Sequence, residues 1–214
     1  MNKPLRIAVL LLAILAPALW AADGAPPEEV MAFLEASLSK VKTIQADFVQ
    51  TKTMAMFKQK LVIKGRIAVQ NPDRIAWHAD EPVRYSFVID GAKLSQWDED
   101  TDKVQTLSLD KDPAFKAAFQ QMTAWFSGQY SKLLENYTVE VEKREPYVLV
   151  FTPKPGSMVD GVIASVRVAF REDGRYIEEL TIREAAENTT VIVFANAVLD
   201  QPIDDKMWKV RRRE

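Results

Sequence analysis

His78 is the one histidine among 214 residues, and the chain has no cysteine. Thiolate nucleophiles, disulfides, zinc fingers and iron–sulfur ligation are excluded together. So is a two-histidine metal site, and any histidine-based triad has to run through His78. Such a triad also needs a nucleophile, and no G-x-S-x-G elbow supplies one. His78 falls on the polar phase of a strand pattern carrying Ile75 and Trp77, so it reads as a solvated strand histidine. Ser39 with Lys42, and Ser37 with Lys40, fit S-x-x-K, but neither S-D-N nor K-T-G accompanies them. The solvated end of a helix accounts for both pairs. Asp98, Asp100 and Asp102 imitate the start of a calcium loop. Its sixth position, where Gly is needed, is Lys103, and its twelfth, where Glu is needed, is Leu109. An acidic hairpin turn fits that segment better. The 7 glycines spell neither a P-loop nor G-x-G-x-x-G. Lys plus Arg number 28 against 30 Asp plus Glu, a net charge of −2, so nothing draws the chain to nucleic acid. The expectation is a protein with no metal, no cofactor and no hydrolytic activity.

The elements that would carry a different kind of function are more informative. Residues 1–21 read as an export signal: Lys3 and Arg6, an apolar run from Ile7 to Leu15, then a small-residue zone with Leu19 and Ala21 at the −3 and −1 positions of a cut. The apolar stretch is about a third short of the roughly 20 residues that span a bilayer. With no Cys at the cut, no lipid anchor forms there. Removing residues 1–21 takes away Lys3 and Arg6 and leaves 26 basic against 30 acidic side chains. A soluble, mildly acidic periplasmic protein is expected. Without disulfides, it must be stable through its core alone.

After the signal, Pro26, Pro27, Glu28 and Glu29 open a helix whose apolar stripe is Val30, Phe33, Leu34, Leu38 and Val41. The period then changes to two. Ile44, Ala46 and Phe48 share a strand face, as do Ile63, Gly65, Ile67 and Val69, then Ile75 and Trp77, then Tyr85, Phe87 and Ile89. Turns fall at Asn71-Pro72-Asp73, at Glu81-Pro82, at Asp90-Gly91 and at Asp98 to Asp102. Asp112-Pro113 opens a second helix with the stripe Phe115, Phe119, Met122, Trp125 and Phe126, ending near Gly128. Strands resume at Tyr137, Tyr147, Val162, Tyr176 and Thr190, with Asp173-Gly174 as another hairpin turn. About ten strands with short links imply antiparallel neighbours, one face apolar and one wet. So many strands should curl, with the two helices on the concave apolar face. The expected fold is mainly β: an incomplete, half-open antiparallel β-barrel with a helical lid, one domain over 22–210 and a basic tail at 211–214.

Aromatic and methionine side chains are abundant on these faces. Plain core is one explanation. A curled sheet with only two helices to fill it offers another, an apolar cavity that takes a ligand. The candidate lipid-binding residues are Phe48, Ile63, Ile67, Val69, Ile75, Trp77, Tyr85, Phe87, Ile89 and Trp97 on the sheet. On the lid they are Phe119, Met122, Trp125 and Phe126.

Three stretches, in order, resemble the periplasmic outer-membrane lipoprotein carrier family, the LolA-like proteins. Ile44-Gln45-Ala46-Asp47-Phe48-Val49-Gln50 is similar to its a-x-F-x-Q first strand. Gly65-Arg66-Ile67 through Asn71-Pro72-Asp73-Arg74-Ile75-Ala76-Trp77 resembles its G-x-hydrophobic to P-x-R-hydrophobic-x-W segment. Pro82, then Val88-Ile89-Asp90-Gly91-Ala92-Lys93-Leu94, resembles its P to D-G-x-x-L hairpin. Asn71 stands where carriers often have a basic residue. The resemblance, running from about Glu28 to Trp208, implies a half-open β-barrel with helices over its concave face. It also implies a monomeric carrier of acylated lipoprotein or another amphiphilic lipid, passed from an inner-membrane donor complex to an outer-membrane acceptor. A lipid-acting hydrolase or transferase and a scaffold with a filled core are the two competing expectations.

Overall fold

In the computed structural model of the chain, residues 26–56, 60–111 and 113–210 are described, except for the side chains of 113–115 and 117–119. The predicted export signal with its cut after Ala21 and the basic tail 211–214 lie outside the described residues, as do the side chains of Phe115 and Phe119.

Pro27 sits at the first position of α1 (Pro27–Leu38), where its missing N–H costs nothing, and Glu28 and Glu29 face the positive end of the helix dipole. Val30, Met31, Leu34 and Leu38 are buried. Phe33, counted in the apolar stripe, remains half exposed, with its ring 5.5 Å from that of Tyr147. Six strands follow: β1 (Thr43–Thr53), β2 (Lys60–Gln70), β3 (Arg74–Glu81), β4 (Tyr85–Asp90), β5 (Lys93–Asp98) and β6 (Lys103–Ser108). A 3-10 turn at Leu109–Lys111 leads to α2 (Pro113–Ser127) and the one-turn α3 (Tyr130–Leu133). Five more strands complete the sheet: β7 (Tyr137–Arg144), β8 (Tyr147–Pro153), β9 (Ile163–Phe170), β10 (Ile177–Glu184) and β11 (Thr189–Leu199).

All eleven strands form one sheet in the order β6-β5-β4-β3-β2-β1-β11-β10-β9-β8-β7. Every recorded pairing is antiparallel. Chain start and chain end meet in the middle, where β1 pairs with β2 on one side and β11 on the other. The first and last strands of the helical crossing, β6 and β7, are the two edges, so the sheet is half-open rather than closed. It curls strongly. Trp77 on β3 and Phe194 on β11 are three strand spacings apart, about 14 Å on a flat sheet, yet their ring centroids lie 6.4 Å from each other.

Inner and outer faces follow the register. Ile67, Trp77, Phe87 and Gln96 stand opposite one another across β2 to β5, and Ala68, Ala76, Val88 and Ser95 form the next row on the other face. The inner face carries the main core, which takes in all of α1's buried residues and Trp125 of α2. A second, smaller core lies on the outer face. There Ile203, Met207 and Trp208 of the C-terminal segment cover Ala68, Ala76 and Val88. This segment, with a 3-10 turn at Asp205–Trp208, is a strap rather than a loose tail. Its hold is polar as well as apolar. Thr43 Oγ1 donates to Gln201 O at 2.7 Å, Gln45 Nε2 donates to Pro202 O at 3.2 Å, and the Arg74 guanidinium lies 4.2 Å above the Trp208 ring.

The strap corrects the reading of His78. The ring is 2% exposed rather than solvated, because the strap lies over the polar phase of β3. His78 Nε2 lies 2.8 Å from the Met207 carbonyl oxygen. A carbonyl only accepts, so Nε2 carries the proton. Burial holds the imidazole pKa below its usual value.

Candidate apolar binding site

Eight of the sheet and lid residues singled out from the sequence fall in one buried cluster: Phe48, Ile63, Ile67, Val69, Ile75, Trp77, Ile89 and Trp125. Tyr85, Phe87, Met122 and Phe126 pack against it, half buried. The aromatic centre is built on a glycine. Phe48 on β1 and Gly65 on β2 are register partners, and Trp77 lies one strand further on. A Cβ at position 65 would collide with the His78 carbonyl oxygen and sit 2.6 Å from Phe48 Cζ. Without it, the Phe48 ring lies across β2 and stacks on Trp77 with centroids 3.9 Å apart.

Trp97 does not join this group. The Asp90-Gly91 turn sets Phe87 against Gln96, so Trp97 pairs with Ser86 on the outer face and packs beside the strap. Its indole N–H donates to Asp102 Oδ1 at 3.0 Å. Asp98 accepts from the Thr101 N–H at 2.9 Å and from the Thr101 hydroxyl. The acidic run thus closes its own turn.

α2 reaches both halves of the sheet with successive residues. Phe126 lies 6.4 Å from Trp77 on β3 and 5.8 Å from Phe194 on β11. Trp125 lies 4.6 Å from Phe151 on β8 and 5.9 Å from Tyr137 on β7, both edge-on. At its C-terminal end, Gly128 takes φ +73°, and a Cβ there would sit 2.6 Å from Leu38 Cβ of α1. Only glycine allows that conformation and that approach together. Just beyond, Glu35 of α1 accepts from the Ser131 N–H at 2.6 Å, at the start of α3. The helices hold one another, and α2 lies against the sheet through its side chains.

Between α1, α2 and the sheet lies an apolar cavity lined by Leu38, Ile44, Ala46, Ile67, Val69, Phe126, Tyr176, Ile177 and Phe194. Its volume is about 20 Å³, room for about one water molecule. An acyl chain needs many times that, so entry requires side chains to move. Among the described side chains, Phe126 is the one lining residue that comes from α2. Phe194, Tyr176 and Ile177 were not among the residues singled out. Their signal was available for Phe194, since strand alternation places it on the same face as Ile192 and across from Phe48.

The polar groups inside are few. Trp77 is 5% exposed, and its indole N–H faces the Tyr85 hydroxyl. The Tyr85 hydroxyl is close enough for the indole N–H to offset part of the pKa rise that burial imposes on it. The Tyr137 hydroxyl is similarly raised by burial, beside Gln121 on α2. Both phenols stay protonated at neutral pH. His78 and Ser86, opposite each other on the outer face, are both engaged by the strap: the Ser86 hydroxyl donates to the Val210 carbonyl. A serine whose proton goes to a main-chain carbonyl is not activated by a neighbouring base.

A family model described as outer membrane lipoprotein carrier protein LolA matches residues 39–211. An outer-membrane lipoprotein carrier protein of Pseudomonas fluorescens is 29% identical over 203 residues, covering 95% of this chain and 93% of that protein. One of Pseudomonas entomophila is 28% identical over 202 residues, with 94% and 93% covered. Among solved structures, the MucA/MucB complex of Pseudomonas aeruginosa shares the fold with a TM-score of 0.50 at 13% identity, over 84% of this chain and 60% of that one. The family model spans every strand of the half-open sheet and the helix over its apolar face: the chain belongs to the outer membrane lipoprotein carrier family, LolA.

Proposed function

We propose that this protein is a non-enzymatic periplasmic carrier that shields the acyl chains of lipoproteins between the inner face of the sheet and α2. The observation that carries the reading is the apolar interior closed by Phe126 and Trp125. Moving a 16-carbon chain through water costs roughly 0.8 kcal/mol per methylene, over about 10 kcal/mol in all. An apolar interior removes most of that penalty without any reacting group. With α2 against the sheet, the apolar cavity beside Phe126 is nearly closed. With a chain present, the same lid face lines the chain instead. The two states bury similar apolar area, so a small difference in affinity shifts the balance.

In this reading residues 1–21 direct export and are cut after Ala21, and residues 22–210 work as one monomeric domain. The chain receives cargo from an inner-membrane donor and releases it to an outer-membrane acceptor. Sheet residues Phe48, Trp77 and Phe87 and lid residues Phe119, Met122, Trp125 and Phe126 contact the chains. The small cavity favours a second reading, a scaffold whose core is simply filled. Delipidated protein titrated with an acylated lipopeptide separates the two. The carrier reading expects saturation near one lipopeptide per protein, with the unacylated peptide inert. No binding of the acylated form sinks it.

A further inference from the structure

We propose that a groove beside α2, separate from the apolar cavity, binds the short stretch of polypeptide that follows the acylated residue of the cargo. The stretch is held extended and is recognised through its peptide groups. The proposal rests on the carrier reading and names where the protein part of the cargo lies.

α2 borders two spaces of very different size and lining. Phe126 borders the apolar cavity of about 20 Å³. Lys116, Gln120, Thr123 and Ala124 border a groove of about 840 Å³, inside the range of about 300–1,000 Å³ usual for ligand clefts. Steps of four, three and one put these four residues on one side of the helix. The opposing wall comes from the β2–β3 and β4–β5 turns, at Asp73 and Gly91, and from the α3–β7 link, at Glu135 and Asn136. The floor is apolar. Ile89, Leu109, Ala124 and Leu133 are buried and belong to the same cluster as Phe48 and Trp77.

The polar lining decides what fits. Gln120, Gln121, Gln129 and Asn136 bring amides. An amide carries an acceptor and a donor group, the same pair that a peptide unit carries. Charge is nearly balanced, with Lys116 and Lys132 against Asp73, Asp110 and Glu135, and Lys116 is paired with Asp110 at 2.7 Å. Phosphates and carboxylates are bound by an excess of positive charge, which this lining lacks. An uncharged chain with its own N–H and C=O groups suits it. From Lys116 to Thr123 the helix rises about 10 Å, the span of about three extended residues. The cargo of a lipoprotein carrier has such a chain. Its acyl part goes under the face of Phe126, and the polypeptide joined to it has to pass the edge of α2. The groove lies there, over the same core. Once the acyl part is held, the peptide is present at an effective concentration on the order of millimolar. Contacts too weak to bind free peptide then add to the whole.

The test uses the full mature protein, delipidated, and two probes built on the same N-acetylated dipalmitoyl cysteine. One ends there as the amide, and the other continues for four uncharged serine and alanine residues. Affinities are read by displacement of a bound fluorescent fatty acid. Wild-type protein is expected to bind the longer probe about 3- to 10-fold more tightly, the worth of one or two hydrogen bonds. Gln120→Trp fills the groove from an exposed position of α2. It should bring the ratio close to one while holding the short probe's affinity within about twofold, and Gln120→Ala should reduce the ratio in part. A benzophenone at the third added residue should label groove residues such as Met158. Equal wild-type affinities for the two probes overturn the proposal. So does a ratio unchanged in both variants, or a label confined to residues outside the groove, which would leave the groove to another protein. Should Gln120→Trp fail to fold, the wild-type contrast, Gln120→Ala and the label still decide. If the short probe binds and the added residues contribute nothing, the peptide groove is refuted and the carrier reading stands. If neither probe binds, both fall.

Discussion

His78 is a single reporter of how the strap sits. Its folded pKa is lowered, chiefly by burial, against smaller opposing effects of the Met207 carbonyl and Asp80; Arg66 pushes it further down. In the unfolded chain it titrates near about 6.5. The unfolded state therefore binds the proton first as pH falls, and this residue's contribution to stability is complete above about 6.5 and declines below it. We expect the proton spectrum of this lone imidazole to titrate below the ordinary histidine range. We expect the His78→Gln variant, which keeps a neutral donor towards Met207, to lose less stability than wild type between pH 7.5 and pH 5.5, a window placed about 1 unit either side of 6.5. An imidazole that titrates at the ordinary value would mean that the strap does not cover it in solution. Gly65 makes a sharper case. Adding a methyl there meets main chain on one side and the Phe48 ring on the other. Gly65→Ala should cost about 1–3 kcal/mol or more in denaturant unfolding, and should loosen the Phe48–Trp77 stack. Sequence alternation placed Phe48, Ile67, Trp77 and Phe87 on one face without error, because parity on a strand is a local property. The same rule, applied from Leu94, sends Trp97 to the other face, three residues on. Its aromatic character, not its position, had put it with the lining.

At the scale of elements, the strap and the lid differ in what the chain reveals beforehand. The lid is legible: Met122, Trp125 and Phe126 continue a helical stripe, and α2 forms where that stripe lies. The strap is not. Ile203, Met207 and Trp208 are too few and too irregular to signal an element, and they become one only through distant partners such as Thr43, Gln45 and Arg74. The burial of His78 follows from that long-range contact, so no local pattern could have shown it. Asn71 is likewise placed by packing. Its Nδ2 donates to Val41 O at 2.7 Å, tying the β2–β3 turn to the segment after α1. Lid and sheet substitutions should part company. Trp77→Ala removes a buried indole from the scaffold and should cost about 3–5 kcal/mol. Phe126→Glu, on a half-buried lid position, should leave the circular-dichroism spectrum of the sheet intact and still release bound lipopeptide at least about tenfold faster. Equal destabilisation by the two would make α2 ordinary core.

For the molecule as a whole, the question is how the cavity beside Phe126, of about 20 Å³, becomes room for an acyl chain. The sheet is the wrong part to yield. Its central strands β1 and β2 each pair on both sides along most of their length, and β11 pairs along β1 and over Thr189–Val193 with β10. Opening there would break main-chain hydrogen bonds. α2 has its own internal hydrogen bonds and meets both halves of the sheet through Trp125 and Phe126. Its departure exposes apolar surface but breaks no ladder, and an entering chain restores the burial. The absence of cysteine makes this directly testable. Cysteines introduced together at Phe126 and Phe194, whose rings are 5.8 Å apart, can be joined by a short reducible cross-linker. Such a link ties α2 to β11 across the cavity and leaves the main-chain ladder of the sheet intact. The linked protein should keep its thermal stability or gain some, since the cross-link restricts the unfolded chain. It should also refuse lipopeptide, and accept it again once the link is reduced. The reduced double variant serves as its own control for the two lost rings. Linked protein that loads as fast as reduced protein would show that chains enter by another route, and that α2 is not the moving part.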